Sequence, residues 1–162
     1  MTVPPRRVYI SRGTHVMVID ADSCAVVVDI PNTEGVHGIA LAPELRRGFT
    51  TNGRAKTVTV FDLKTLKVLG TAPMGIGPDV ILYDPASKRV FTMDGHSRYV
   101  TAIDAASGNV AETIPLGDKP EFAVADGLGY IYNNLEDKSE LLQIDSQKLT
   151  VAARWPLGAR RR

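Results

Sequence analysis

Residues 89–126 read RVFTMDGHSRYVTAIDAASGNVAETIPLGDKPEFAVAD, and residues 47–85 read RGFTTNGRAKTVTVFDLKTLKVLGTAPMGIGPDVILYDP. The two run in step: Phe49 with Phe91, Asp62 with Asp104, Pro73 with Pro115, Asp79 with Glu121. Further out, the aspartate recurs at Asp20 and Asp145 and the proline at Pro31 and Pro156, both series advancing by 42, 42 and 41 residues. An aromatic ladder at Phe49, Phe91 and Tyr132 keeps that step, with Tyr9 two residues out of phase. A fixed period of this length means a chain built from copies of one supersecondary unit, each burying its faces against its neighbours.

Within a unit, short β-branched and aromatic runs alternate with turn residues. Gly48–Thr51, Thr57–Phe61, Val68–Ala72 and Asp79–Tyr83 read as strands, and no stretch carries a long apolar stripe of helical period. Four short strands in a unit of about 40 residues are the signature of a β-propeller blade. The recurring aspartate suits the start of a tight turn, where its carboxylate accepts backbone N–H groups. The recurring proline removes a ladder donor and so suits an edge strand. With strands named A to D from the axis outward, the innermost strands are expected at Gly38–Ala42, Asp79–Tyr83 and Glu121–Ala125. The expected fold is all-β, a β-propeller sector of three complete four-stranded blades after an incomplete N-terminal one. That first blade has only strands B to D, at Val8–Ser11, His15–Ile19 and Ala25–Ile30. The units bound as 7–37, 38–78, 79–120 and 121–158, one partial domain followed by a basic tail at 159–162.

These units resemble the repeat of the YVTN-type β-propeller family, which contains YncE-like proteins, over about residues 7 to 157. The resemblance implies seven blades in an intact relative and a periplasmic or secreted location. Seven units of this size need on the order of 290 residues. The chain is therefore expected to be a fragment, whose two end blades expose apolar faces and self-associate.

Charge is balanced, with Lys+Arg 19 against Asp+Glu 18, so no global field points to nucleic acid. One rim of the sector is expected to be basic, through Arg46, Arg47, Lys64, Lys88, Arg89 and Lys148, and the other acidic and polar. No stacking aromatics are interleaved with the basic rim, and nucleic acid is not expected as a partner. The single cysteine, Cys24, excludes an intramolecular disulfide framework and is expected as a surface thiol in a C–D turn. No apolar run approaches the ~20 residues of a membrane span. The N-terminal MTVPPRRVYI lacks the apolar region of a signal peptide, so none is expected in this chain.

The segments GVHGIAL (35–41), GPDVILY (77–83) and KPEFAVA (119–125) hold His37, Asp79 and Glu121 in one repeated slot. Equivalent residues of a propeller lie on a ring about its axis, so these three should line one channel mouth. Asn52, Asp94 and Asn133 are expected in the B–C loops beside them. All six are candidate ligand-binding residues, for a small molecule or a protein. No catalytic residue is assigned, because no nucleophile elbow, H-E-x-x-H helix, Walker loop or dinucleotide fingerprint occurs. The expected function is therefore a non-catalytic binding or scaffold module. The alternative, implied by lactone-hydrolysing seven-bladed relatives, is a metal-dependent lactonase-like hydrolase in the intact propeller. Asp79, Glu121, Asn52 and Asn133 would then hold the cation. No cofactor is predicted, a divalent cation being the one that these residue types allow.

Overall fold

The computed structural model describes residues 6–158, so the basic tail at 159–162 lies outside the described residues. Blade 1 is the three-stranded sheet β1 (Arg7–Ser11), β2 (Val16–Asp20) and β3 (Val26–Ile30). Blade 2 comprises β4 (Val36–Ala42), β5 (Arg47–Asn52), β6 (Thr57–Asp62) and β7 (Val68–Pro73). Blade 3 comprises β8 (Pro78–Asp84), β9 (Arg89–Asp94), β10 (Tyr99–Asp104) and β11 (Val110–Pro115). Blade 4 comprises β12 (Pro120–Ala125), β13 (Tyr130–Leu135), β14 (Glu140–Asp145) and β15 (Thr150–Pro156). Every pairing is antiparallel between strands adjacent in sequence. Helix is confined to two single 3₁₀ turns, Pro43–Leu45 and Gly95–Ser97, among the described residues. No helix there is long and apolar enough to cross a membrane.

The repeated residues do local work. Asp20, Asp62, Asp104 and Asp145 each accept the backbone N–H three residues on, at 2.7–2.8 Å, closing the C–D turn. These bonds hold the Asp20, Asp62, Asp104 and Asp145 carboxyls below the usual carboxylate range. Pro73, Pro115 and Pro156 end the outermost strands, where a missing N–H breaks no ladder.

The sheets stack face to face around a common line of inner strands, β4 beside β8 and β8 beside β12. Three apolar cores fill the junctions. Between blades 1 and 2, Val16, Val18 and Ile30 meet Val36, Phe61 and Leu66. Between blades 2 and 3, Phe49, Val58 and Val60 meet Ile81, Val90 and Ile103. Between blades 3 and 4, Phe91, Met93 and Val100 meet Ile131, Leu142 and Ile144. Strand alternation explains the division, since successive residues point to opposite faces and each central blade has a neighbour on both. In every blade with a successor, the aromatic of strand B lies in the core toward that successor.

Tyr9 belongs to this ladder in phase. The pairs Arg7↔Asp20 and Arg47↔Asp62 align Tyr9 with Phe49. The apparent two-residue offset comes from a shorter B–C hairpin in blade 1, closed by Arg12 N–H to the His15 carbonyl at 2.9 Å. Tyr9 packs on Phe61 with ring centroids 5.7 Å apart.

The end blades keep one face uncovered. In blade 4 it carries Phe122, Val124 and Trp155, 61%, 51% and 43% exposed, with Tyr132 in the ladder position between them. In blade 1 it carries Val8 and Val26, 43% and 60% exposed.

Gly48 and Phe61 are cross-strand partners, and a Cβ on Gly48 would lie 2.1 Å from the Phe61 ring. The equivalent pairs are Val90 with Ile103 and Ile131 with Ile144, so a large–small exchange keeps the junction filled. Gly48→Val should cost about 2 kcal/mol or more through overpacking. Gly48→Val with Phe61→Ile should recover stability to within about 1 kcal/mol of the parent in urea unfolding. Additive losses in the double variant would contradict this packing.

Candidate functional site

The mouth lies where the A strands begin and the B strands end. One backbone hydrogen bond between the D–A connection and the B–C loop recurs in every complete blade. The donors are Gly53, Gly95 and Glu136, and the acceptors are Gly35, Gly77 and Lys119, at 2.9, 2.7 and 3.0 Å. Gly35 and Gly77 adopt φ of +72° and +68°, a conformation that favours glycine. In blade 4 both glycines of this corner are replaced, one by Lys119 and the other by Glu136.

That replacement builds a charged corner. The Lys119 ammonium pairs with the Glu136 carboxylate and lies 3.4 Å from Oε2 of Glu121. The Glu136 hydrogen bond is the main reason that the Lys119 pKa is raised, and the same bond lowers that of Glu136. Lys119 also reaches back to blade 3. A Cβ on Gly95 would lie 3.3 Å from Cε of Lys119 and 2.4 Å from Oδ2 of Asp79. Lys119, a residue the repeat pattern alone did not single out, thus pairs with Glu121 and Glu136 and passes near Asp79 without an ion pair to it. His37 is exposed at the same slot of β4. No group of three or more His, Cys, Asp or Glu among the described residues is placed to hold a metal ion.

Asn52, Asp94 and Asn133 stand elsewhere than expected. They lie within strands β5, β9 and β13, fully buried, rather than in exposed loops. Asn52 and Asp94 occupy equivalent positions, opposite Val36 and Pro78, but the residue opposite Pro120 is Leu135. Asn133 instead matches Thr50 and Thr92, and its Nδ2 donates to the Phe122 carbonyl at 2.9 Å. Its position is displaced because the A–B turn of blade 4 is one residue shorter, Asp126 to Tyr130 against Asp84 to Arg89.

The expected division into a basic and an acidic rim is also corrected. The turn aspartates sit among the basic residues, and Arg46 pairs with Asp62 at 2.9 Å and Lys148 with Asp145 at 3.2 Å. At the mouth, Arg54, Arg98 and Lys138 stand among the carboxylates in the loops before β6, β10 and β14. Both ends are mixed.

No protein-family model matches the sequence, and no curated protein matches it. Among solved structures, a chain of Kuenenia stuttgartiensis hydrazine synthase superposes with a TM-score of 0.81. The chain is a β-propeller sector. Identity in that superposition is 16%, and it covers 91% of this chain and 45% of the other. The likeness is one of fold, and the sector spans less than half of that neighbour's length.

Asp94 and Asn52 solve one buried position differently. Asn52 accepts from Thr50 and donates to Thr57 and Thr59, at 2.9, 3.2 and 2.7 Å. Asp94 accepts from Thr101 at 2.6 Å and from the Gly75 N–H at 3.1 Å, both on Oδ2, while Oδ1 has no partner. Burial dominates and pushes the Asp94 carboxyl up to about 6. A folded pKa above the unfolded value means that the unfolded chain binds fewer protons between about pH 4 and 6. This group's contribution to stability therefore falls as pH rises through that window, by up to about 3 kcal/mol. Asp94→Asn should leave stability at pH 4 nearly unchanged and raise it by about 1–3 kcal/mol at pH 7. Equal effects at both values, measured by urea unfolding, would contradict the assignment.

Proposed function

We propose that this chain is a non-catalytic binding or scaffold module of a YVTN-type propeller, acting outside the cytoplasm, with its ligand at the mouth formed by β4, β8 and β12. The corner where Asp79, Lys119, Glu121 and Glu136 converge carries this reading. Their side chains stand at or beside the ends of rigid strands and are partly exposed, 31%, 44% and 50% for Lys119, Glu121 and Glu136, with Oε2 of Glu121 itself buried. Fixed charges on strand termini suit recognition of a small polar molecule, since little reorganisation is needed on binding.

A scaffold role is supported by the uncovered end faces. Tyr132 holds the ladder position from which Tyr9, Phe49 and Phe91 pack against a following blade. Val8 and Ile19 hold the positions that receive such an aromatic. These faces associate with each other between copies, and Tyr132→Glu with Trp155→Glu should shift sedimentation toward monomer.

The ligand reading is tested by thermal shift against a panel of small zwitterions, polyols and lactones. A responding class should lose its effect in Lys119→Ala, Asp79→Ala and Glu121→Ala, while each exposed substitution changes stability by under about 0.5 kcal/mol. A response that survives all three variants would sink the mouth as the binding site. Lactone turnover that needs an added divalent cation and disappears in Asp79→Ala would instead establish the hydrolase.

A further inference from the structure

Arginines clasp the blade that follows them at two of the three junctions. Arg7 donates to the Leu63 carbonyl at 2.6 Å. Arg89 donates to the carbonyls of Ser146 and Gln147 at 2.8 and 3.2 Å. Both arginines open strand B, and their acceptors directly follow the turn aspartate of the next blade. Arg47 opens strand B of blade 2 and by register would reach Ala105. No hydrogen bond or ion pair holds its side chain among the described residues. Its cross-strand partner Asp62 is already engaged, by Arg46 at 2.9 Å and by the backbone of Lys64 and Thr65.

The half-buried Arg47 instead lines a cleft of about 230 Å³ between blades 2 and 3. Gly70 and Thr71 form one wall, and Ser107, Gly108 and Asn109 form the other. Val60 is the floor, and a Cβ on Gly108 would rest 3.4 Å from its Cγ2. The opening follows from sequence. The positions equivalent to Gly70 hold Val28, Glu112 and Ala153, and a Cβ on Gly70 would meet nothing within 4 Å. Where the other blades place a side chain over the outer strand, blade 2 leaves space.

We propose that this cleft binds a small organic carboxylate. The guanidinium presents parallel N–H donors matched to the two carboxylate oxygens. The Asn109 amide supplies a further donor. Ser107 donates to Asp104 at 2.8 Å, so its hydrogen is already committed. A short aliphatic body lies on Val60, where burial of apolar surface favours it over a bare anion.

The test is a titration of the full chain with sodium butyrate at constant ionic strength, followed by backbone amide shifts. Saturable shifts are expected at Gly70, Gly108 and Asn109. Arg47→Gln should weaken binding about tenfold or more, while Arg46→Gln should leave it in place. Arg47→Lys should weaken it by keeping the charge without the planar fork. Unfolding midpoints of the variants show that the fold is kept. Absence of saturable shifts, shifts unchanged in Arg47→Gln, or an equal response to inorganic phosphate would overturn the assignment.

Discussion

Everything in this sector depends on one contact repeated at each junction: the strand-B aromatic of one blade pressed into the aliphatic face of the next. A single four-stranded sheet with two apolar faces has no stable existence in water, because each face must be covered. Propeller geometry covers both by placing equivalent sheets on either side. The contact sets the chain's period, since every unit must return an aromatic to the same position of strand B. It also explains the exchange of side-chain volume between Gly48 and Phe61, which keeps the junction of blades 1 and 2 filled while the partner residues differ.

The mouth inherits its form from that packing. Inner strands held by three cores offer their first residues to one end, and their chemistry is free to vary because the cores do not use it. Blade 4 shows how much can change there. Two glycine positions of the earlier blades become Lys119 and Glu136, while the backbone hydrogen bond joining the two loops persists at 3.0 Å. A charged site replaces the glycine corner, and Lys119 leaves the left-handed conformation that Gly35 and Gly77 adopt. Just before that corner, the last position of strand B carries Asn52 in blade 2 and Asp94 in blade 3, both fully buried. The amide satisfies its neighbours without cost in charge, whereas the carboxylate is left with one oxygen unpartnered.

The fold was legible in the sequence because two of its repeated residues have no substitute chemistry. An aspartate must close each C–D turn, and proline is tolerated only at the end of an outer strand. Strand positions followed to within two residues at most ends. The candidate site was less legible, and the reason is local insertion and deletion. A hairpin two residues shorter hid the true phase of Tyr9. An A–B turn one residue shorter made Asn133 look equivalent to Asn52, when Leu135 is. Lys119 is hidden in the sequence because it stands where Gly35 and Gly77 stand in the earlier blades, yet register counted from the proline exposes it. His37, Asp79 and Glu121 fell in the first residues of the inner strands, a position set by the period itself.

Whether strand-B aromatics point to the following blade is read from methyl–aromatic nuclear Overhauser contacts in a chain labelled at Ile, Leu, Val and Phe. Contacts are expected from the Phe49 ring to methyls of Val90 and Ile103, and from the Phe91 ring to methyls of Ile131 and Leu142. Contacts from the Phe49 ring to Val16 and Val18 would instead place the aromatic on the opposite face of blade 2 and overturn this packing.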